Sequence, residues 1–253
     1  MLKLQPKSLF VGQKQVYLPH CHSTNDVASG LGRKGGFTDG TVVITDFQSA
    51  GRGQRGTAWE GEPGKNLMMS LLLDTSFLPP ARQFDLSIVS ALGVWAALKS
   101  VGLAHACIKW PNDLYAGSRK TGGILIENIL RESGLKASVV GIGINLHQDT
   151  FGNPRASSLS REGCTTDRDT LAEAICSRFE HFYVRLREGE NLREEYLAVL
   201  FGLNEEREYL FGDQRFTGII RGISEAGHLL VESELSKKNF DIKEISFCFR
   251  ENE

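Results

Sequence analysis

Apolar residues in this chain keep a short spacing, switch to a helical one and switch back, which leaves few architectures open. Through Asn145 short apolar runs alternate with polar loops, with one stretch of helical spacing over 83–101. Between Asp167 and Leu200 apolar residues recur on one helical face, as at Leu171, Ala174, Ile175, Phe179 and Phe182. After Asn204 only short runs and tight turns remain. A main unit of strands and helices with a small β-barrel of about 45 residues appended on its C-terminal side satisfies that order. The 253 residues, 41% hydrophobic and 24% charged, are enough to build such a core and exclude a disordered or collagen-like chain. No fixed-period repeat points to a solenoid.

Within the main unit, residues 15–18 are predicted as a first strand. Ser23 with Asp26 three residues on, close to a capping box, predicts a helix ending near Gly30. GTVVITDFQSA reads as a strand running into the polar loop GRGQRGTAWEGEPGKN, and NLMMSLLL at 66–73 as a buried strand. Leu86, Val89, Leu92, Trp95 and Leu98 follow helical spacing within 83–101. HACIKW, GGILIENIL and ASVVGIGINL are predicted as adjacent strands, antiparallel in part.

Charge and cysteine usage narrow the partners. Lys and Arg total 29 against 31 Asp and Glu, a net charge of −2, so the positive excess that binds a phosphate backbone is missing and no specific nucleic-acid partner is expected. The five cysteines are scattered without a C-x-x-C pair, which predicts reduced thiols in a cytoplasmic protein. The uncharged run Leu86–Leu98 is shorter than the roughly 20 residues that span a bilayer, and no membrane partner is expected.

Three segments carry chemistry. Gly51-Arg52-Gly53-Gln54-Arg55-Gly56 follows a strand, and its glycines let backbone N–H groups approach an anion while arginines supply charge; a solvated basic loop is the alternative. It is neither a Walker loop nor a dinucleotide fingerprint, because no G-K-[ST] closes it and no helical pattern follows. Lys109-Trp110-Pro111-Asn112-Asp113 puts an amide and a carboxylate at a strand end, with Lys120 seven residues beyond Asp113; an ordinary hairpin is the alternative. Gly141-Ile142-Gly143-Ile144-Asn145 places glycines inside a strand, where a ligand lies against the backbone or a barrel bends.

Taken together, STN at 23–25, QSAGRGQRG at 48–56, Trp59, KWPND at 109–113, Lys120 with GGILIE, GIGIN at 141–145 and the KEIS ending at 243–246 resemble the biotin protein ligases. The resemblance implies an α+β fold: a class II aminoacyl-tRNA synthetase-like mixed sheet flanked by helices, plus a small C-terminal Src-homology-3-like β-barrel. It divides the chain into a biotin/ATP-binding catalytic domain over 1–204 and a barrel over 205–253. Only 22 residues precede Ser23, too few for the N-terminal winged helix-turn-helix of some members, so a monofunctional form is expected.

The implied reaction activates biotin with ATP and Mg²⁺ to biotinyl-5′-AMP and passes biotin to a lysine of a biotin carboxyl carrier domain. Arg52, Lys120 and Asp113 are the implied catalytic residues, the two cations offsetting repulsion between carboxylate and α-phosphate. Asp113 either ligates Mg²⁺ or orients the incoming lysine. Biotin is assigned to Ser23, Thr24, Asn25 and Gln48, to Gly51, Arg52 and Gly53, and to Lys120 with Gly122, Gly123, Gly141 and Gly143. Ser23 has a helix cap as its alternative role. ATP and the adenylate are assigned to Arg52, Gln54, Arg55, Trp59, Lys109, Asn112, Lys120 and Asn145.

Many members have arginine where this chain has Gln54, and that arginine helps retain the adenylate; Arg55 is expected to take over. A lipoate or octanoyl transferase of the same superfamily is the nearest rival, and KWPND with GRGQRG favours biotin. A noncatalytic binding module built on the barrel is the second rival, against which Arg52, Lys120 and Asp113 in one chain argue. The barrel either clamps the acceptor or completes the ATP pocket. An apolar strand edge serves either a homodimer or packing within the chain.

Overall fold

Residues 66–73 form a strand buried along its whole length, β3 (Asn66–Leu73), and its two faces meet different partners. Leu67, Met69, Leu71 and Leu73 join the main core, whereas Leu72 joins a second cluster with Ala28, Val43, Ile129, Ala137 and Val139. Strand geometry turns alternate side chains to opposite faces, so a run with apolar residues at both odd and even positions requires cover on both. The computed structural model describes residues 4–132, 134–234 and 236–249, with the backbone but not the side chain of Arg55.

The remaining strands of this sheet are β1 (Gln15–Leu18), β2 (Thr41–Thr45), β4 (Ala106–Lys109), β5 (Asp113–Ala116), β6 (Arg119–Arg131) and β7 (Gly134–Asn145). Their order is β1-β2-β3-β7-β6-β5-β4. β1 runs parallel to β2, and every other neighbouring pair is antiparallel. Helix α1 (Thr24–Lys34) covers one face; α2 (Gln83–Ser100) and α3 (Arg168–Arg187) cover the other. The last two pack closely at Gly93, where a Cβ would stand 2.7 Å from the Cα of Phe179. A short helix, α4 (Arg193–Ala198), leads out of the unit.

Two local expectations are corrected. The first helix does not end at Gly30 but continues to Lys34 and stops at Gly35, whose φ of +78° suits a glycine. Gly32 is retained inside it because a Cβ there would lie 2.6 Å from Ile129 Cδ1, so its missing side chain lets helix and sheet approach. Ser23 occupies the N-cap position but makes no side-chain capping bond, so the capping box does not form.

The C-terminal strands are β8 (Glu206–Phe211), β9 (Gln214–Ile223), β10 (Leu229–Glu232), β11 (Lys237–Phe240) and β12 (Ile245–Phe247), ordered β11-β10-β9-β8-β12. Phe211 on β8 and Phe240 on β11 have ring centroids 5.4 Å apart. Three strand spacings in a flat sheet would separate them by about 14 Å, so the sheet curls round in the manner of a small barrel. Its core of Tyr209, Ile220, Val231, Phe240 and Ile245 is continuous with that of the main unit. Trp110 Nε1 donates to Gly227 O at 2.9 Å and fastens the two units beside the Lys109–Asp113 turn.

Candidate active site

Both units wall one cavity of about 580 Å³. The start of α1, the loop at 52–59, the turn at 109–113, the glycine-bearing parts of β6 and β7, and residues 242–247 of the C-terminal sheet line it. A cavity of that size suits a small organic substrate.

At the α1 end, a buried polar network is already assembled. Gln48 Oε1 accepts from Thr24 N at 2.7 Å and Thr24 Oγ1 at 3.0 Å. Ser70 Oγ lies 2.7 Å from both Thr24 Oγ1 and Asn25 Oδ1, and Asn25 Nδ2 donates to Glu127 Oε2 at 2.7 Å. Such a network fixes its members' orientations before a ligand arrives. Ser23 lines the cavity beside it.

The glycines of β7 exist for neighbouring side chains of the protein itself. A Cβ on Gly141 would lie 2.2 Å from Asn25 Oδ1, and one on Gly143 2.7 Å from the Trp59 indole. The sequence reading expected a ligand or a bend at these glycines; the close approach in the structure is made by Asn25 and Trp59. Trp59 Nε1 is buried and has no hydrogen-bond partner among the described residues.

The charged groups are arranged in two sets. Arg52 donates to both Asp26 oxygens at 2.9 and 2.8 Å and to Glu127 Oε1 at 3.0 Å. The Arg52 hydrogen bonds hold the Asp26 carboxyl below the usual carboxylate range, and the two carboxylates push the guanidinium up. In the second set, Lys120 Nζ donates to Asp113 Oδ1 at 2.6 Å, with the two side chains 30% and 27% exposed. Lys109 Nζ sits 4.4 Å from the Phe247 ring centroid and 5.9 Å from that of Tyr115. Burial pulls its ammonium below the ordinary lysine value, with Asp113 opposing the shift and Lys120 adding to it.

Of the residues expected at the site, Ser23, Thr24, Asn25, Gln48, Arg52, Gly53, Gln54, Trp59, Lys109, Asp113, Lys120, Gly123, Gly141 and Gly143 line this cavity. Four expected residues stand outside its wall. Asn112 Nδ2 donates to Ile124 O at 2.6 Å and ties the turn to β6, while Asn145 Nδ2 donates to Ser157 O at 2.9 Å beyond the glycines. Gly51 packs under Trp59, where a Cβ would meet its carbonyl at 2.8 Å, and a Cβ on Gly122 would lie 2.5 Å from Ile144 Cδ1. The Arg55 side chain lies outside the described residues.

Asp26 and Glu127, the partners of Arg52, escaped the sequence reading although Glu127 closes the quoted GGILIE segment. The wall from Ile242 to Phe247 was signalled only by the KEIS ending. Among the described residues no cluster of three metal-ligating side chains occurs, and Asp113 is the one carboxylate in the cavity wall.

The fold is similar to that of a biotin protein ligase from Aquifex aeolicus in complex with biotin and ATP, with a TM-score of 0.76, 26% identity, and coverage of 93% of this chain and 99% of that one. The architecture is thus that of a protein ligase. Residues 17–145 match the biotin/lipoate A/B protein ligase family, and the chain belongs to that family. It is 33% identical over 231 residues to the bifunctional ligase/repressor BirA of Escherichia coli, covering 88% of this chain and 70% of that protein. It is 29% identical over 244 residues to the biotin–[acetyl-CoA-carboxylase] ligase of Paracoccus denitrificans, covering 91% of this chain and 99% of that one.

Proposed function

We infer that this chain is a biotin protein ligase, an ATP-dependent enzyme that makes biotinyl-5′-AMP and transfers biotin to a lysine of a biotin carboxyl carrier domain. The observation that carries the site assignment is the convergence of Lys109, Lys120 with Asp113, and the Thr24–Gln48–Asn25 network on one cavity.

In the first half-reaction a carboxylate oxygen of biotin attacks the α-phosphorus, the bond from that phosphorus to the β-phosphate bridging oxygen breaks, and pyrophosphate leaves. Two anions must meet, so fixed cations in a partly desolvated site carry the rate. Lys120 is held at the meeting point by Asp113, and Lys109, flanked by Phe247 and Tyr115, lines the same wall. Arg52, anchored by Asp26 and Glu127, lines the same cavity and positions the loop. The Thr24, Asn25 and Gln48 groups take the ureido end of biotin, whose donor–acceptor pair matches theirs. The Trp59 indole takes the adenine side.

A divalent cation arriving on ATP requires one or two protein carboxylates besides the phosphates. Asp113 fits that need and would hold the Mg²⁺, which supplies neutralisation of the departing pyrophosphate. In the second half-reaction the neutral carrier amine attacks the acyl carbon, the carbon–oxygen bond of the anhydride breaks, AMP leaves, and the amine sheds a proton.

A cytoplasmic setting is supported by five free cysteines. Burial pushes Cys107 up to about 11 and Cys176 up to about 12, so these thiols stay protonated. The net charge of −2 supports a site without a nucleic-acid partner. The β4 edge is bridged by the chain itself, Ile108 to Leu200, so a homodimer formed by edge pairing of the seven-stranded sheet would use β1.

Incubation with biotin, ATP, Mg²⁺ and a biotin carboxyl carrier domain tests the assignment by intact-mass spectrometry. One biotinyl group should appear on a single carrier lysine and vanish when that lysine is replaced by arginine. Addition of lipoyl or octanoyl groups in its place would move the assignment to the rival acyl ligases.

A further inference from the structure

The turn between β11 and β12 holds a residue in a conformation that its side chain resists. Glu244 N–H donates to Asp241 O at 3.0 Å, closing a four-residue turn whose third member, Lys243, has a φ of +68°. Glycine adopts that conformation freely, whereas a long side chain there costs backbone energy, and such residues cluster at functional sites. The same lysine lines the cavity. Its Nζ donates at 2.8 Å to the carbonyl oxygen of Gln54, 189 positions away at the tip of the Gly/Arg loop. That oxygen already closes the loop's own turn by accepting from Thr57 Oγ1 at 2.9 Å. A strained residue of one unit thus bonds the tip of a loop of the other, and both belong to the wall of one cavity.

We propose that Lys243 is a latch that keeps the Gly/Arg loop closed over the acyl-adenylate and sets how long that intermediate stays bound. The proposal rests on the ligase reading above. The intermediate is an anion with a reactive anhydride, and it escapes or meets water only when a wall of the cavity opens. Gln54 brings no charge to the loop tip; the ammonium of Lys243 brings one from the other sheet, through a charge-assisted bond stronger than a neutral one. Lys243 is a positioning residue, acting through the loop it holds.

The test forms the adenylate in the full chain from biotin and ATP with Mg²⁺ and pyrophosphatase. After rapid desalting, release of biotinyl-5′-AMP is followed in wild type, Lys243→Gly, Lys243→Met and Lys243→Arg. Gly and Met should each shorten the lifetime about tenfold, the loss of one charge-assisted bond, and Arg should restore it. Lys243→Gly, relieved of the positive φ, should melt no lower than wild type, so that faster release and undiminished stability occur together. Adenylate that forms in every variant and leaves each at the wild-type rate overturns the latch. Faster release in Gly but not in Met also overturns it, tracing retention to the backbone and not the ammonium. A wild-type chain that makes no adenylate overturns the ligase reading, and the latch with it.

Discussion

Lys120→Met should lower biotin-dependent ATP/pyrophosphate exchange by about 10²–10³-fold, the range found when one preorganised charge-stabilising group is removed from a reacting centre. Lys120 Nζ is fixed 2.6 Å from Asp113 Oδ1 in the cavity wall, so its charge is in place before the reacting anions meet. The ion pair is partly exposed, and pairs of that kind contribute little to folding stability. Methionine preserves the length of the stem, and the melting temperature should stay close to wild type. Biotin binding, which we assign mainly to the Thr24–Asn25–Gln48 network, should change far less than the rate. Exchange within about threefold of wild type, far short of the expected loss, would remove Lys120 from the chemistry.

Glycine replacements in β7 should split the two substrates. A Cβ at Gly141 would stand 2.2 Å from Asn25 Oδ1, so Gly141→Ala must push Asn25 away from Ser70 and disturb the biotin end. At Gly143 the Cβ would stand 2.7 Å from the Trp59 ring, so Gly143→Ala must move the indole. Overpacking costs about 1–3 kcal/mol, roughly 5- to 150-fold in an affinity. Calorimetric titration should therefore find weakened biotin binding in Gly141→Ala and weakened nucleotide binding in Gly143→Ala. Equal losses for both ligands in both variants would contradict the division of the cavity, and unchanged affinities would place the ligands elsewhere.

Much of this arrangement was legible in the sequence because it depends on short-range signals. The largely apolar run 66–73 reads as a buried strand, and the strand is buried along its whole length. KWPND, GRGQRG and GIGIN carry the turns and glycines that the cavity wall uses. What escaped depends on distant residues. Gly32 stays inside α1 because Ile129 and Leu72 crowd its place, a contact no local pattern announces. Asn112 and Asn145 sit in the right motifs, yet their amides are taken up by the carbonyls of Ile124 and Ser157. Arg52 reads as a free cation but is clasped by Asp26 and Glu127, residues 26 and 75 positions away. The positive φ of Lys243 depends on a turn that folds only with the C-terminal sheet.

The central claim, that the cavity activates biotin with ATP, is tested most directly by biotin-dependent ATP/pyrophosphate exchange in the purified chain with Mg²⁺, with lipoate and octanoate run as competing acids. Exchange that requires biotin and ignores the other two acids is the predicted result. Exchange supported by lipoate or octanoate but not by biotin, or no exchange with any acid, would contradict it.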